Sequence, residues 1–246
     1  MSQHYFKKLI QQHIEDMPTD VTPIVNMETV SSESLARYID HTNLKAESTQ
    51  TDIEVLCQQA LQHKFAAVCV HPTWVPLCVD TLAGKNIAIC SVVAFPFGAT
   101  TTENKVLETE ELVAMGAGEI DMVLNIGRLK NYEYSLVYDE ITQVVDTAQG
   151  AVVKVILETC LLNEAEKIAA CVLSKEAGAH FVKTSTGTNK AGATVEDVSL
   201  MRRVVGSQMG VKAAGGIKSY QTALAMLAAG ANRIGSSSGP DLIGNP

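Results

Sequence analysis

The chain has 246 residues, of which 46% are hydrophobic and 19% are charged, and its formal net charge is −8. This length and composition are typical of a globular protein with a sizeable core, built either as one α/β barrel or as two small domains. The acidic balance argues against binding to bulk nucleic acid or to anionic membranes, because both require basic patches.

Six cysteines are present, and they mostly lie inside apolar runs without any C-x-x-C pair. This pattern indicates buried free thiols in a reducing compartment, with neither a disulfide framework nor a zinc site. The first eight residues lack the apolar segment of a signal peptide, and no apolar run approaches the length of a membrane span. We therefore expect a cytoplasmic protein that does not act on membranes.

Residues 1–30 form a polar segment that differs from the rest of the chain. One short helix is predicted at 5–14, and Pro18 and Pro23 then interrupt any regular structure. The segment does not share the strand and helix pattern of the later residues. We predict an N-terminal extension over 1–30 and a single domain over 31–246.

Beyond residue 31, apolar strands alternate with amphipathic helices. The predicted strands are 39–44, 66–70, 87–94, 119–125, 152–158, 181–183, 211–214 and 232–235. The predicted helices are 49–63, 102–115, 132–147, 163–177, 194–205 and 219–229, with one more that starts at His71-Pro72. Eight β/α units in this length predict a single (β/α)8 TIM barrel, an α/β fold whose active site lies at the carboxyl ends of its strands. A doubly wound open sheet is the alternative, although no G-x-G-x-x-G motif follows the first strand.

Because the active site of such a barrel lies at the carboxyl ends of its strands, polar residues near those ends are candidates for function. They are Asp40, His71, Asp121, Asn125, Lys154, Glu158, Lys183 and Lys212. We expect Lys154 and Glu158 to form a structural ion pair. The histidines are too scattered along the sequence to predict a metal site.

Lys183 ends the apolar run Phe181-Val182 and precedes the turn Thr184–Gly187. An unpaired ammonium in a strand that is buried on both faces is costly, so a lysine there suggests amine chemistry. The alternative is a strand-end lysine whose ammonium reaches solvent. The residues of this stretch alone leave both interpretations open.

Lys212 lies one β/α unit after Lys183, so the two lysines should occupy neighbouring strands. Two ammonium groups in one barrel mouth repel each other, which lowers the pKa of at least one of them. A neutral lysine is what a Schiff-base nucleophile requires. Asp121 would be either a proton acceptor or the partner in a purely structural Lys–Asp bridge.

Three glycine- or serine-rich turns indicate a phosphate site. Gly187 follows the first lysine, Gly215-Gly216 follows the second, and Gly235-Ser236-Ser237-Ser238 follows the eighth strand. In barrels the loops after strands seven and eight often hold a phosphate group. Glycine allows backbone N–H groups to approach the oxygens, and serine adds hydroxyl donors.

Six segments of this sequence resemble the deoxyribose-phosphate aldolase family. They are Asp40-His-Thr-Asn-Leu44, Ala67-Val-Cys-Val-His-Pro72, Glu119-Ile-Asp-Met-Val123, Phe181-Val-Lys-Thr-Ser-Thr-Gly187, Val211-Lys-Ala-Ala-Gly-Gly216 and Arg233-Ile-Gly-Ser-Ser-Ser238. The resemblance covers roughly residues 31–240, and the two lysine motifs are its most specific part. It implies a (β/α)8 barrel that cleaves 2-deoxyribose 5-phosphate reversibly to glyceraldehyde 3-phosphate and acetaldehyde, without a metal or an organic cofactor.

The resemblance also assigns roles to residues. Lys183 matches the Schiff-base lysine, Lys212 the second lysine, and Asp121 the aspartate of the proton relay. The expected substrate ligands are Asp40, Thr42, Gly187, Gly215, Gly216, Ser237 and Ser238. The implied partners are a phosphorylated sugar and aldehydes, and the expected assembly is a homodimer.

The sequence departs from the family pattern in three places. Thr188 follows Gly187 where the family more often has an aromatic residue or a lysine, so Lys190 is a substitute candidate for the phosphate contact. The chain ends at Pro246 without the terminal tyrosine of some relatives, and residues 1–30 match no family motif. Another class I aldolase for a related phosphorylated sugar, or a non-catalytic barrel that only binds ligands, remains the alternative function.

Overall fold

Eight parallel strands close into a barrel in the computed structural model, which describes residues 1–21 and 23–244. Thr22 of the predicted extension, and Asn245 and Pro246 at the end of the predicted domain, lie outside the described residues. The strands are β1 (Ile39–Asn43), β2 (Ala67–Val70), β3 (Ala88–Val93), β4 (Glu119–Val123), β5 (Val152–Ile156), β6 (Phe181–Lys183), β7 (Gly210–Ala214) and β8 (Arg233–Ser236). Because β1 pairs with both β2 and β8, the predicted (β/α)8 barrel is confirmed and the open sheet is excluded.

Helices lie on the outside of the barrel. They are α1 (Gln3–Glu15), α2 (Ser32–Leu35), α3 (Gln50–His63), α4 (Val75–Thr81), α5 (Thr102–Ala114), α6 (Ile126–Lys130), α7 (Tyr134–Thr147), α8 (Glu164–Glu176), α9 (Val195–Val205), α10 (Tyr220–Ala228) and α11 (Gly239–Ile243). Of these, α3 to α10 connect successive strands. Eight of the helices begin after a polar N-cap whose side chain accepts a backbone N–H of the first turn: Ser2, Ser31, Thr49, Thr101, Asn125, Asn163, Thr194 and Ser219. Within the described ranges, every helix falls short of the length and hydropathy that a bilayer crossing demands.

Three predicted elements differ from the structure at their ends. The helix expected from His71-Pro72 is divided into a 3₁₀ turn, Pro72–Trp74, and α4, because Pro76 opens a second helical start. Asn125 is not the end of a strand but the N-cap of α6, where its side chain accepts the N–H of Arg128. Glu158 lies beyond β5 at φ +56°, so the chain has already turned away from the barrel there.

The pleat of the strands separates two environments. Outward side chains such as Ile120, Val182 and Ile234 are fully buried against the helices and belong to the main apolar core. Inward side chains alternate with them along the same strands. A small second apolar cluster inside the barrel contains Cys69 and Cys90. Charged side chains from several strands occupy the interior beside this cluster.

The N-terminal segment packs on the outside of the barrel. Helix α1 contacts α7 and α8, and Phe6 and Ile10 on its inner face are 0% and 5% exposed. The Phe6 ring lies 4.8 Å from the ring of Tyr138, centroid to centroid. The predicted helix at 5–14 lies within α1, and its apolar face is fixed to the barrel domain.

This docking predicts that Phe6→Ala lowers the free energy of unfolding by about 3–5 kcal/mol, because a large aromatic ring leaves a closed site. Urea unfolding followed by circular dichroism measures the change. Ile14→Ala on the same helix is the control, since Ile14 is 37% exposed and its truncation should cost less than about 1 kcal/mol. Equal effects of the two variants would contradict the observed packing of α1.

Candidate active site

The charged interior of the barrel follows directly from strand register. Residues two apart on a strand face the same side, so Glu119 and Asp121 both point inward from β4. Asp121 aligns with Lys154 of β5, and Lys183 of β6 aligns with Lys212 of β7. The predicted placement of the two lysines on neighbouring strands is confirmed.

The predicted position at strand ends is wrong for most of these residues. Asp121, Lys154 and Lys212 lie in the middle of their strands, and only Lys183 is the last residue of one. The strands continue past the first three because their outward neighbours still bury apolar surface. Their side chains therefore lie inside the barrel, below its mouth.

Six charged side chains, three anionic and three cationic, form a closed cycle of ion pairs in this interior, which we call the charge ring. In order around the ring they are Asp121, Lys154, Glu119, Arg233, Asp40 and Lys212. The successive nitrogen–oxygen distances are 2.9, 2.5, 3.0, 2.5, 2.5 and 2.7 Å, the last of which returns to Asp121. Each carboxylate thus has at least two cationic partners and each cation at least two anionic ones, and Lys154 Nζ also lies 3.9 Å from Asp40 Oδ2 across the ring.

Lys183 is attached to this ring as a seventh group. Its Nζ lies 2.7 Å from Asp121 Oδ2, the same oxygen that Lys212 Nζ approaches at 2.7 Å. The three carboxylates of the ring already balance its three cations, so a protonated Lys183 would leave one buried positive charge uncompensated. Lys183 is only 2% exposed, and an uncompensated buried charge is strongly disfavoured. The charge count therefore favours a neutral amine at Lys183.

The ring also fixes the protonation of its own members. Burial alone would raise the pKa of Asp121, but the ammonium groups of Lys154 and Lys212 hold that pKa well below its usual range. Burial likewise opposes the shift at Asp40, whose pKa is lowered to about 2, chiefly by Lys212. In Lys212 the effect of burial is outweighed by Asp121 and Asp40, which raise its pKa. Asp121 is thus an anion and Lys212 a cation over the physiological range.

The expected ion pair between Lys154 and Glu158 is wrong. Lys154 points into the barrel and binds Glu119 and Asp121. Glu158 lies four residues later, past the end of the strand, where its carboxylate accepts the hydroxyl of Thr186 at 2.5 Å. The two side chains are separated because the backbone turns at Glu158.

A cavity of about 510 Å³ opens above Lys183 at the carboxyl ends of the strands. Of the predicted ligands, it is lined by Thr42, Lys183, Gly187, Gly215, Gly216 and Ser237. Asp40 is fully buried below the cavity in the charge ring. Ser238 lies behind the wall, and its N–H donates to Ser236 Oγ at 3.1 Å.

The loops around the cavity present backbone donors to it. Within residues 1–21 and 23–244, no carbonyl or side-chain oxygen accepts the N–H groups of Gly187, Gly216 and Ser237. Gly187 and Gly216 have φ of +87° and +78°, and a Cβ at Gly216 would meet no atom within 4 Å. These donors are consequently available to an anion in the cavity.

Sequence reasoning missed two lysines of the cavity wall. Lys45 follows β1, and the exposed Lys218 follows the Gly215-Gly216 turn. By contrast, Lys190, the candidate substitute for Thr188, is not among the cavity-lining residues of the described chain. Lys218 stands close after a predicted phosphate motif, which was the signal available in the sequence.

Three potential metal ligands also converge inside the barrel. One sulfur or oxygen atom each of Cys69, Cys90 and Asp121 lies within 4.8 Å of the others, a grouping that three separate strands conceal in the sequence. Both oxygens of Asp121 already accept hydrogen bonds from lysine ammonium groups, from Lys154 at 2.9 Å and from Lys212 at 2.7 Å. These cations oppose the entry of a further positive ion.

The depressed pKa of Asp40 predicts a specific acid response. Its contribution to stability is present above pH 4 and is lost as pH falls towards 2. Asp40→Asn should lower the free energy of unfolding by about 3–5 kcal/mol at pH 7, because Lys212 and Arg233 lose their shared partner. Between pH 4 and pH 2 the variant should then lose stability less steeply than the parent protein.

Urea unfolding at a series of pH values measures both effects. Asp80→Asn on the exposed face of α4 is the control. It should have the parent's free energy of unfolding and the same dependence of that free energy on pH. An Asp40→Asn slope equal to that of the parent below pH 4 would contradict the ion pairing assigned to Asp40.

Comparisons with known proteins agree with this geometry. A model of the DeoC/LacD family of aldolases matches residues 34–243. The curated deoxyribose-phosphate aldolase of Thermococcus kodakarensis is 55% identical over 218 residues, which cover 87% of this chain and 97% of that relative.

Solved structures give the same result. A Coccidioides immitis protein with a provisional deoxyribose-phosphate aldolase assignment superimposes with a TM-score of 0.94 at 38% identity, covering 99% of this chain and 97% of its own. At that coverage the structural alignment extends into residues 1–30, whereas the family model begins at residue 34. The tetrameric deoxyribose phosphate aldolase of Aeropyrum pernix has a TM-score of 0.82 at 31% identity and covers 97% of this chain and 96% of its own. From the family match, the identity to relatives and the shared barrel, the chain belongs to the DeoC/LacD family of aldolases.

Proposed function

We propose that this protein is a class I deoxyribose-phosphate aldolase that cleaves 2-deoxy-D-ribose 5-phosphate reversibly to D-glyceraldehyde 3-phosphate and acetaldehyde. The single observation that carries the proposal is the position of Lys183. Among the described residues it is the interior lysine beyond the charge balance of the ring, and it lies on the wall of the cavity. The names of the curated relatives support the same substrate.

The first half of the reaction forms an imine. The neutral Nζ of Lys183 attacks C1 of the open-chain sugar, and the carbinolamine loses water to give an iminium. Asp121 lies beside the reacting nitrogen, and its negative charge stabilises the iminium as it forms. Lys212 stays protonated and paired with the same oxygen of Asp121, so its ammonium group is available as a proton donor to the departing water.

The second half breaks the C2–C3 bond. A base removes the proton of the C3 hydroxyl, C3 becomes the carbonyl carbon of glyceraldehyde 3-phosphate, and the electron pair of the bond moves to C2 to form an enamine. We assign the proton transfer to Asp121 and Lys212 acting through water. Protonation of C2 and hydrolysis of the iminium release acetaldehyde and return the amine of Lys183.

We propose that opposite walls of the cavity bind the phosphate and the hydroxyl groups of the sugar. We propose that Gly187, Gly215, Gly216 and Ser237 bind the phosphate through backbone N–H groups, with Lys218 supplying the positive charge and Ser238 supporting the loop from behind. Thr42 lines the opposite wall for the sugar hydroxyls, and the buried Asp40 acts through Lys212.

The proposed partners follow from this chemistry: a phosphorylated sugar and its aldehyde products. We propose a homodimer as the assembly, which light scattering separates from the tetramer formed by the Aeropyrum pernix relative. All six cysteines are free thiols and five of them are buried, which supports our proposal of a reducing, cytoplasmic location. We further propose the division into an extension at 1–30 and a barrel domain at 31–246.

Borohydride reduction in the presence of acetaldehyde tests the central step. The reduced adduct should appear on Lys183 alone, and Lys183→Arg should abolish both adduct and turnover, because a guanidinium does not form the imine. Peptide mass spectrometry locates the adduct. Lys212→Met is the matched variant at the aligned position of the next strand, and its adduct should still lie on Lys183. An adduct only on Lys212 would reverse the assignment.

Phosphate binding is tested by comparing two exposed lysines. Lys218→Met should raise the KM for the phosphorylated sugar by roughly tenfold or more, because a charge-assisted contact contributes about 1.5–3 kcal/mol. Lys190→Met, outside the cavity wall, and Thr188→Ala, with one neutral hydroxyl, should change KM by less than about threefold.

Unphosphorylated 2-deoxyribose is the control substrate, and Lys218→Met should leave its KM unchanged. If Lys190→Met has the larger effect on the phosphorylated sugar, the anion site lies on the loop after β6 instead.

A further inference from the structure

Two members of the charge ring lie at the end of the barrel opposite the cavity. Glu119 is the first residue of β4 and Arg233 the first residue of β8, and both are absent from the described cavity wall. The carboxylate of Glu119 pairs with Lys154 at 2.5 Å and with Arg233 at 3.0 Å. Arg233 also pairs with Asp40 at 2.5 Å. In the described part of the chain they close the ring without an ion pair to Asp121, Lys183 or Lys212.

Arg233 is held in place by more than its ion pairs. Its guanidinium carbon lies 5.7 Å from the centre of the Phe181 ring. Phe181 occupies this place because residue 210 is glycine, and a Cβ there would overlap the Phe181 ring. The sequence thus builds a fixed cationic site at the barrel floor, beside the strand that ends in Lys183.

We propose that Glu119 and Arg233 are positioning residues that set the net charge of the ring, and thereby keep Lys183 as a neutral, reactive amine. The inference rests on the proposed Schiff-base function of Lys183. With both residues present, three anions balance three cations and Lys183 is the group left without a counter-charge. Loss of Glu119 would leave an excess cation that repels a proton on Lys183, whereas loss of Arg233 would leave an excess anion that attracts one.

Other groups facing Lys183 do not replace this balance. They are Asp40 on β1, Cys69 on β2, Cys90 on β3, Asp121 on β4, Lys154 on β5 with Glu158 beyond it, Lys212 on β7, and Lys45 and Lys218 at the cavity wall. Burial raises the pKa of the Cys90 thiol, which therefore stays neutral. Glu158 is bound to Thr186 outside the ring, and Lys45 and Lys218 lie at the solvent side.

The test is the rate of borohydride trapping of acetaldehyde on Lys183 as a function of pH, in the full-length protein. Glu119→Gln should move the profile about one pH unit towards acid, and Arg233→Met about one unit towards alkali, as expected for the loss of one charge in a protein interior. The double variant Glu119→Gln/Arg233→Met restores the balance and should return the profile close to that of the parent. Arg233→Lys keeps the charge and should leave the profile in place.

Glu140→Gln is the matched control, because Glu140 pairs with Lys105 at 2.6 Å in an equally buried site between α5 and α7, outside the barrel interior. It should lower stability without moving the trapping profile. If one of the two single variants does not fold, the test is the difference between the trapping profile of the other single variant and that of the double variant.

Profiles that do not move, or that move the same way in both single variants, would overturn this inference while the adduct on Lys183 still supports the aldolase. If the parent protein shows no adduct on Lys183 at any pH, the proposed function itself is wrong.

Discussion

The structure depends on one electrostatic constraint: three carboxylates and three cations share the inside of a barrel from which water is largely excluded. Each member alone would be too costly to bury, and each is tolerated because it has at least two partners of opposite sign. Such a closed network leaves no counter-charge for another cation. The lysine that reaches the cavity from this network, Lys183, is therefore the group driven towards its neutral form.

The scaffold makes room for these long side chains by placing small residues opposite them. A Cβ at Gly235 would lie 3.1 Å from Lys212 Cε, so glycine there lets Lys212 lie flat across β8. The outward faces of the same strands bury valine and isoleucine against the helices, and this apolar packing supplies the stability that the polar interior does not. Interior chemistry and exterior packing are separated by the two-residue pleat alone.

The fold and the lysine pair were predictable because local sequence patterns determine both. Alternating strands and helices indicated the barrel, and one β/α unit between Lys183 and Lys212 placed them side by side. The charge ring was not predictable, since Glu119, Arg233 and Lys154 meet only through register and barrel closure. The expected pair of Lys154 with Glu158 failed for a similar reason: the positive φ of Glu158 turns the chain, which no local spacing reveals.

The most direct test of this account is to observe the charge of each interior lysine. Carbon-13 labelling of lysine Cε, with resonances assigned through Lys→Arg variants, distinguishes ammonium from amine by NMR at about pH 7, well below the usual lysine pKa of about 10.4. We expect the charged form at Lys154 and Lys212 and the neutral amine at Lys183. An ammonium signal at all three positions would contradict the central claim, because the ring would then hold a charge that nothing in the barrel interior balances.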